Sequence, residues 1–407
     1  MRNIYFLIIL LFILILQKYP IINAQREALA RLWSVQDDEI DDLIDREVEL
    51  IDADHIVKRH LNDDVYSGSY IRTTDNNIIF YITDATPVNA IRNLPDVKPI
   101  NHLLTFERSV NTFNLHDLKD RYRNLTRLAF QYSPELVAIF IDVTLNNIVI
   151  ASYHGYYPTN REFIDAVNRQ FVNPAPVFEY GNLPNTNEQH YLNDISRRTV
   201  RMRMLDGDGL CDLHQNVTCS IGFLARRNET HENVIVTSGR CDLFEQEYFF
   251  KPWGSLDVHN LIGRMDRVSK YHMIDFGIVS IEGNVEPTIT IRNTDSPIYP
   301  EINIIGRNGM ENNHLGIHSC KSGYFTHLTC GYLRSNEAIY FDALDPYRIS
   351  YVINIENHIW DIGGPVFHYS DINNVYLSGI LTGGIGNIGL ATDIDKILIR
   401  GGLSLEL

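Results

Sequence analysis

The sequence predicts an α+β segment over about 25–205 followed by an all-β domain over 206–407. Residues 70–80 align with 140–150 at a constant offset, so the first part carries an internal repeat, with units over about 60–100 and 130–175. Beyond Asp206 helical periodicity almost vanishes, and short apolar runs alternate with turn residues, as in a barrel or sandwich. The 407 residues are 44% hydrophobic and 21% charged, values of a globular chain long enough for two or three folded units.

Arg2 precedes an unbroken apolar run over 4–16, which Lys18 and Pro20 break before the small residue Ala24. This predicts a secretory signal peptide over 1–24 and a secreted, extracellular product. As a helix the run would rise only about 20 Å, short of the roughly 30 Å hydrocarbon core, so no stable membrane insertion is expected after its removal. The sequons at Asn124, Asn216 and Asn228 suit N-glycosylation on that route. A net charge of −16 argues against nucleic acid as a partner.

Residues 37–54 hold ten carboxylates and one arginine. Ile40, Ile44, Val48 and Ile51 nevertheless recur at helical spacing, predicting a helix with one apolar stripe and a solvated acidic face. No glycine turn or fixed loop spacing suggests calcium. In each repeat a strand, an Asn-Asn turn (Asn76-Asn77, Asn146-Asn147) and a second strand read as a hairpin, because asparagine tolerates positive φ. Asn114 is expected to cap a helix burying Leu115, Leu118, Tyr122, Leu125 and Leu128. Asn160 is expected to cap another, with Phe163, Ile164, Val167 and Phe171 inward. Pro174, Pro176 and Pro184 mark a loop, and a short helix is expected from about Asp393.

Several blocks of the β half, in order, match one family. Cys219-Ser220-Ile221-Gly222-Phe223 and Val236-Thr237-Ser238-Gly239-Arg240-Cys241 come first. Ile274-Asp275-Phe276-Gly277, Cys320-Lys321-Ser322-Gly323 with Thr329-Cys330-Gly331, Trp360-Asp361-Ile362-Gly363-Gly364-Pro365 and Gly379-Ile380-Leu381-Thr382-Gly383-Gly384 follow. Together they resemble the chymotrypsin-like serine proteases, most closely the microbial branch of alpha-lytic protease and the streptogrisins. The upstream half resembles that branch's pro-region. The resemblance implies two six-stranded Greek-key barrels, disulfides Cys219–Cys241 and Cys320–Cys330, and Cys211 left outside both. Cys211 is then either a buried thiol or a handle for a partner, and its position near the start of the domain favours an exposed or semi-exposed place. The disulfides imply Cα separations of about 4.4–6.8 Å.

By the same resemblance Arg240 stands at the general-base position, Asp275 at the orienting carboxylate and Ile362 at the nucleophile. Trp360, Asp361 and Gly363 form the oxyanion region, and Thr382, Gly383 and Gly384 the substrate strand of the cleft. Isoleucine offers no nucleophilic oxygen, and arginine stays protonated, so the ordinary mechanism is lost. Trp360 replaces a glycine whose N–H would face the oxyanion. Arg240 is expected to pair directly with Asp275, and Asp361 to need a backbone or cationic partner.

The expected function is therefore a secreted inactive protease homologue that binds a peptide or protein in or near the former cleft. A serine endopeptidase with a displaced triad and a structural extracellular protein are the alternatives. His231, His259 and His272, with Ser238, Ser370 and Ser378, have no spacing that forces a triad. His314, His318 and His327 lack a short ligand motif such as His-Glu-x-x-His, so neither metal nor cofactor is expected. A pro-region that cannot be removed by self-cleavage stays attached or is cut in trans, near Arg197 and Arg198 or around 201–203.

Overall fold

The computed structural model describes residues 26–183 and 202–407, apart from 213–217, 243–246, 254, 256–259, 270–273, 309–313 and 343–345. The expected leader, Asn216, His259, His272, Arg197 and Arg198 lie outside the described residues.

Two helices open the upstream half, α1 (Ala28–Trp33) and α2 (Ile40–Lys58). α2 buries Ile40, Leu43, Ile44, Leu50 and Val57. Its inner face is rotated from the expected stripe, for Val48 is 53% exposed whereas Glu47 and Asp54 are buried. Partners on the β half make that arrangement tolerable, since a buried carboxylate needs donors around it.

A three-stranded sheet follows, formed by β1 (Tyr66–Arg72), β2 (Asn77–Ile82) and β3 (Leu104–Arg108), with α3 (Val88–Arg92) between β2 and β3. β1 and β2 are antiparallel, β2 and β3 parallel. Then come α4 (Leu115–Tyr132), β4 (Val137–Asp142), β5 (Asn147–Tyr153), α5 (Arg161–Gln170) and β6 (Val177–Gly181). β4–β5 is again antiparallel and β5–β6 parallel. The hairpins turn through Asn76 (φ 50°) and Asn146 (φ 46°), a left-handed conformation that asparagine adopts more readily than most residues. Asn114 caps α4, accepting the Asp117 N–H at 2.8 Å. Asn160 does not cap α5; its side chain binds both backbone groups of Glu135 at 2.8 Å instead.

The β half begins with β7 (Met202–Asp206), β8 (Gly209–Asp212), β9 (Thr218–Ser220), β10 (Phe223–Arg227) and β11 (Asn233–Thr237). It continues with β12 (Glu247–Lys251), β13 (Leu261–Ser269), β14 (Phe276–Ser280), β15 (Val285–Arg292) and β16 (Glu301–Arg307). β17 (His318–Gly323), β18 (His327–Ser335), β19 (Ala338–Phe341), β20 (Pro346–Ile349) and β21 (Tyr351–Asn354) come next. β22 (Pro365–Asp371), β23 (Asn374–Ile385), β24 (Ile388–Asp393), α6 (Ile394–Gly401) and β25 (Leu403–Leu405) complete the chain. α6 starts where a short helix was expected, and Asp393 caps it through the Lys396 N–H at 3.0 Å.

β17, β18, β21, β24, β23 and β22 close an antiparallel barrel, because β22 pairs with both β17 and β23. The other sheet stays open, in the order β25-β10-β11-β14-β13-β12-β8-β9. This corrects the expectation of two closed six-stranded barrels. β25 occupies the free edge of β10, so β10 has no edge left to receive β9.

The halves share a sheet and several cores. β19 pairs antiparallel with β4, giving the order β20-β19-β4-β5-β6. Leu50, Ile71 and Phe80 pack with Leu333, Tyr351 and Leu381. Ala138, Phe140 and Val149 pack with Tyr340, Tyr347 and Leu390. At about 1.5–3 kcal/mol per large buried apolar side chain, separating the halves would expose a costly surface.

Candidate functional site

The disulfides hold the blocks around the site. Cys219–Cys241 has a Cα separation of 6.1 Å, inside the expected range. Cys320–Cys330 lies at 4.0 Å, below it, because the two residues are directly opposed on β17 and β18. Cys211 is outside both bridges but is not exposed. At 1% exposure on β8 it faces the interior, the buried alternative rather than the favoured exposed one.

Arg240 sits in the short turn Gly239–Cys241 after β11. Its guanidinium lies 3.1 Å from Asp342 and donates to the Tyr347 hydroxyl and the Thr382 carbonyl, both at 3.2 Å. Burial opposes its charge, but Tyr347, Tyr340, Asp342 and Asp275 outweigh that and hold it protonated. The expected direct Arg240–Asp275 pair is absent. Asp275 accepts a close hydrogen bond from Ser238, whose oxygen also accepts the Arg240 backbone N–H at 3.1 Å. A short side chain one turn nearer therefore takes the carboxylate, and the longer arginine reaches past it. Burial pushes the Asp275 carboxyl up to about 6, against the Ser238 hydrogen bond and Arg240.

Ile362 follows the short helix Ile359–Asp361, lines a cleft of about 780 Å³ and packs against the open-sheet core. The amides that would serve an oxyanion are engaged within the turn: the Trp360 N–H donates to His358 Nδ1 at 3.3 Å and the Ile362 N–H to the Ile359 carbonyl at 3.4 Å. The Trp360 indole meets Phe325 and His358 edge-on, at 5.1 and 5.0 Å. A Cβ on Gly363 (φ 96°) would lie 2.1 Å from the Thr237 hydroxyl, so glycine is required for the turn itself.

Asp361 has the partners expected of it. The Lys321 ammonium is 3.1 Å away, and the backbone N–H groups of Phe325, Thr326 and His358 donate at 2.9, 3.0 and 2.9 Å. Burial would raise its carboxyl, but Lys321, Thr326 and Phe325 hold it below the usual carboxylate range. Sequence reasoning did not single out Lys321. Its 0% exposure could have been inferred only from its place in the Cys-x-Ser-Gly block beneath Asp361.

On the cleft strand, Arg240 and Tyr347 occupy the Thr382 carbonyl, and the Tyr153 hydroxyl donates to the Gly384 carbonyl at 2.5 Å. A Cβ on Gly383 would lie 3.2 Å from Arg240 Nη1, and one on Gly181 only 2.6 Å from the Gly386 nitrogen. The end of β6 thus abuts the turn after β23. Tyr153, Glu179, Tyr180 and Gly181 form one wall of the cleft, Arg240, Ile362 and Gly384 the other. The upstream half was not expected to build the cleft. That depends on the β4–β19 pairing, which no local pattern encodes.

Among the described residues the remaining serines and histidines do not assemble a triad around Asp275. Ser378 Oγ lies 2.6 Å from His368 Nδ1, but burial and His318 push that imidazole down to about 3, too low for a base near neutrality. His231 lies in the exposed hairpin between β10 and β11. His314, His318 and His327 engage three different carboxylates, Asp54, Glu47 and Asp295. Among the described residues no group of three or more histidine, cysteine or acidic side chains could hold a metal, and no helix is long and apolar enough to cross a membrane.

No protein-family model matches the chain, and neither does any curated protein. Solved structures do. Thermobifida fusca Protease A is 20% identical with a TM-score of 0.40, covering 50% of this chain and 98% of that one. A Nocardiopsis protease is 18% identical with a TM-score of 0.41, covering 50% of this chain and all of its own. A glutamic acid-specific serine protease is 18% identical with a TM-score of 0.42, again over 50% and 100%. The similarity to these solved proteases extends along 50% of this chain.

Proposed function

We propose that this chain is a secreted, non-catalytic serine protease homologue whose upstream half, a pro-region-like repeat, stays on as part of the working molecule. Its ligand is a peptide or protein held in or beside the former active-site cleft. The observation that carries the reading is the fate of position 240. A permanent cation there is tied to Asp342, Tyr347 and the Thr382 carbonyl, where catalysis needs a base that can take up a proton. Ile362 adds a position with no nucleophilic atom, and the inward-turned amides of Trp360 and Ile362 support the same conclusion.

The open cleft favours a binding role over a purely structural one, because a pocket of about 780 Å³ falls in the range of ligand sites. Adding a peptide strand along Thr382–Gly384 would have to displace Arg240 and Tyr153, so side-chain capture in the cleft is the mode favoured. Treating the purified full chain with a fluorophosphonate probe and a mixed peptide library tests the reading. The expected result is no covalent label and no hydrolysis, with peptides retained intact; stoichiometric labelling of a serine would overturn it.

A further inference from the structure

Two carboxylates on α2 have no part in the cleft. Glu47 and Asp54 are 3% and 0% exposed, and each meets a histidine of the β half. Glu47 Oε2 lies 2.5 Å from Nδ1 of His318, the first residue of β17, and Asp54 contacts His314 Nδ1. The other nitrogen of His318 settles its protonation. The Tyr369 backbone N–H donates to His318 Nε2 at 2.9 Å. A peptide N–H can only donate, so Nε2 holds a lone pair and the single ring proton sits on Nδ1, donated to Glu47. Glu47 Oε1 accepts from the Thr73 hydroxyl at 2.7 Å and the His318 backbone N–H at 3.0 Å. A second proton on His318 would set two N–H groups face to face at a junction where His318 and Glu47 are both buried.

The surroundings do not absorb that proton. Trp33 of α1 stands edge-on to the His318 ring at 5.4 Å. His368 of β22, at 5.6 Å, is already pushed down to about 3 by burial and His318. Tyr369 and Tyr332 face the pair as neutral phenols, raised first by burial and then by Glu27 and Glu47 respectively. Arg31 lies beyond Tyr369. Asp54 differs. Burial would raise it, but His314 and Lys58, the latter at 2.6 Å, together hold it low, so this second contact outlasts mild acid. His55, 6.4 Å from His314, and Tyr66 complete its surroundings.

We propose that Glu47 and His318 form an acid-sensitive latch, which tightens the docking of α2 on the closed barrel at neutral pH and loosens it on mild acidification. The sign follows from the bonding. Docked, His318 cannot take a second ring proton without losing the bond from the Tyr369 N–H; an imidazole freed from that bond can. The loosened state therefore binds more protons in acid, and docking weakens as pH falls. The inference is independent of whether the chain cleaves any substrate.

Hydrogen exchange of the full chain, corrected for intrinsic rates and compared at about pH 7.5 and about pH 5, tests it. Amides of α2 are expected to lose protection by about tenfold or more in acid while β21 and β24 keep theirs. His318→Gln can still give an N–H to Glu47 and accept from Tyr369 but takes up no proton; it should abolish the acid step, and His314→Gln should leave it in place. Equal α2 protection at both pH values, or an unchanged acid step in His318→Gln, would overturn the latch. If that variant does not fold, the ring ¹⁵N shifts of His318 in the wild type decide. A proton on Nδ1 alone at neutral pH, and a second taken up as α2 opens, supports the latch; a protonated Nε2 at neutral pH, or opening without ring titration, refutes it.

Discussion

Arg240 pairs with Asp342 at 3.1 Å and leaves Asp275 to the hydroxyl of Ser238. The two positions that would cooperate in a protease are thus each satisfied by a different neighbour. Restoring single residues should accordingly fail. Ile362→Ser alone is expected to show no turnover of a chromogenic peptide, for want of a base. Arg240→His with Ile362→Ser still lacks an oxyanion site, whose loss costs about 10²–10³ in rate. Adding Trp360→Gly is the step expected to bring turnover above background; full activity from Ile362→Ser by itself would contradict the assignment of position 240.

Removing the cation itself is a stability experiment. Arg240 and Asp342 side chains are 25% and 19% exposed, between the surface and buried limits, so Arg240→Ala is expected to cost about 1–3 kcal/mol. Urea unfolding reads this directly, and a change of a few tenths would mean that solvent already screens the pair.

Lys321 and Asp361 are both 0% exposed, and stranding the carboxylate with Lys321→Met should cost about 3–5 kcal/mol at neutral pH. The folded Asp361 carboxyl lies below its ordinary 3.8. In the wild type its contribution is therefore present above pH 3.8 and is lost as pH falls through the depressed folded value. Without Lys321 burial dominates and the carboxyl rises, so the variant's deficit should shrink in acid. A deficit constant with pH would exclude the ion pair as its cause.

Asp275 titrates the other way. Its folded value, pushed up to about 6 from 3.8, means that stability is gained as pH falls from neutrality toward 4, by an amount on the order of 3 kcal/mol. Asp275→Asn should remove that gain from the pH profile of the melting temperature, while the raised carboxyl of Asp206 preserves part of the slope. Identical profiles for the two proteins would show that Asp275 is not the titrating group.

Glycosylation should distinguish the sequons. Asn228 and Thr230 lie exposed in the turn after β10, the surface setting that acceptors occupy. Asn124 is within α4, and the hydroxyl of its partner Thr126 is buried. Peptide mapping of secreted protein is expected to find glycan at Asn228 and none at Asn124; the reverse pattern would count against the described surface of α4.

Local pattern alone determined much of the architecture. The paired hairpins, the cap at Asn114, the short helix from Asp393 and the strand-rich second half are legible because positive-φ turns, capping side chains and alternating apolar residues act over a few neighbours. Both disulfides were likewise expected from the motif blocks. Tertiary structure alone decided the rest. Val48 and Glu47 exchange their expected places because His318 and Thr73, distant in sequence, offer donors to a carboxylate on the inner face. Arg240 passes over Asp275 because Asp342 and Tyr347 wait on the far side and Ser238 is nearer. The edge of β10 in the open sheet is taken by the last strand, β25, a pairing that no local pattern encodes. In each case the choice among partners is made by distances between residues tens to hundreds of positions apart, and periodicity carries no information about those.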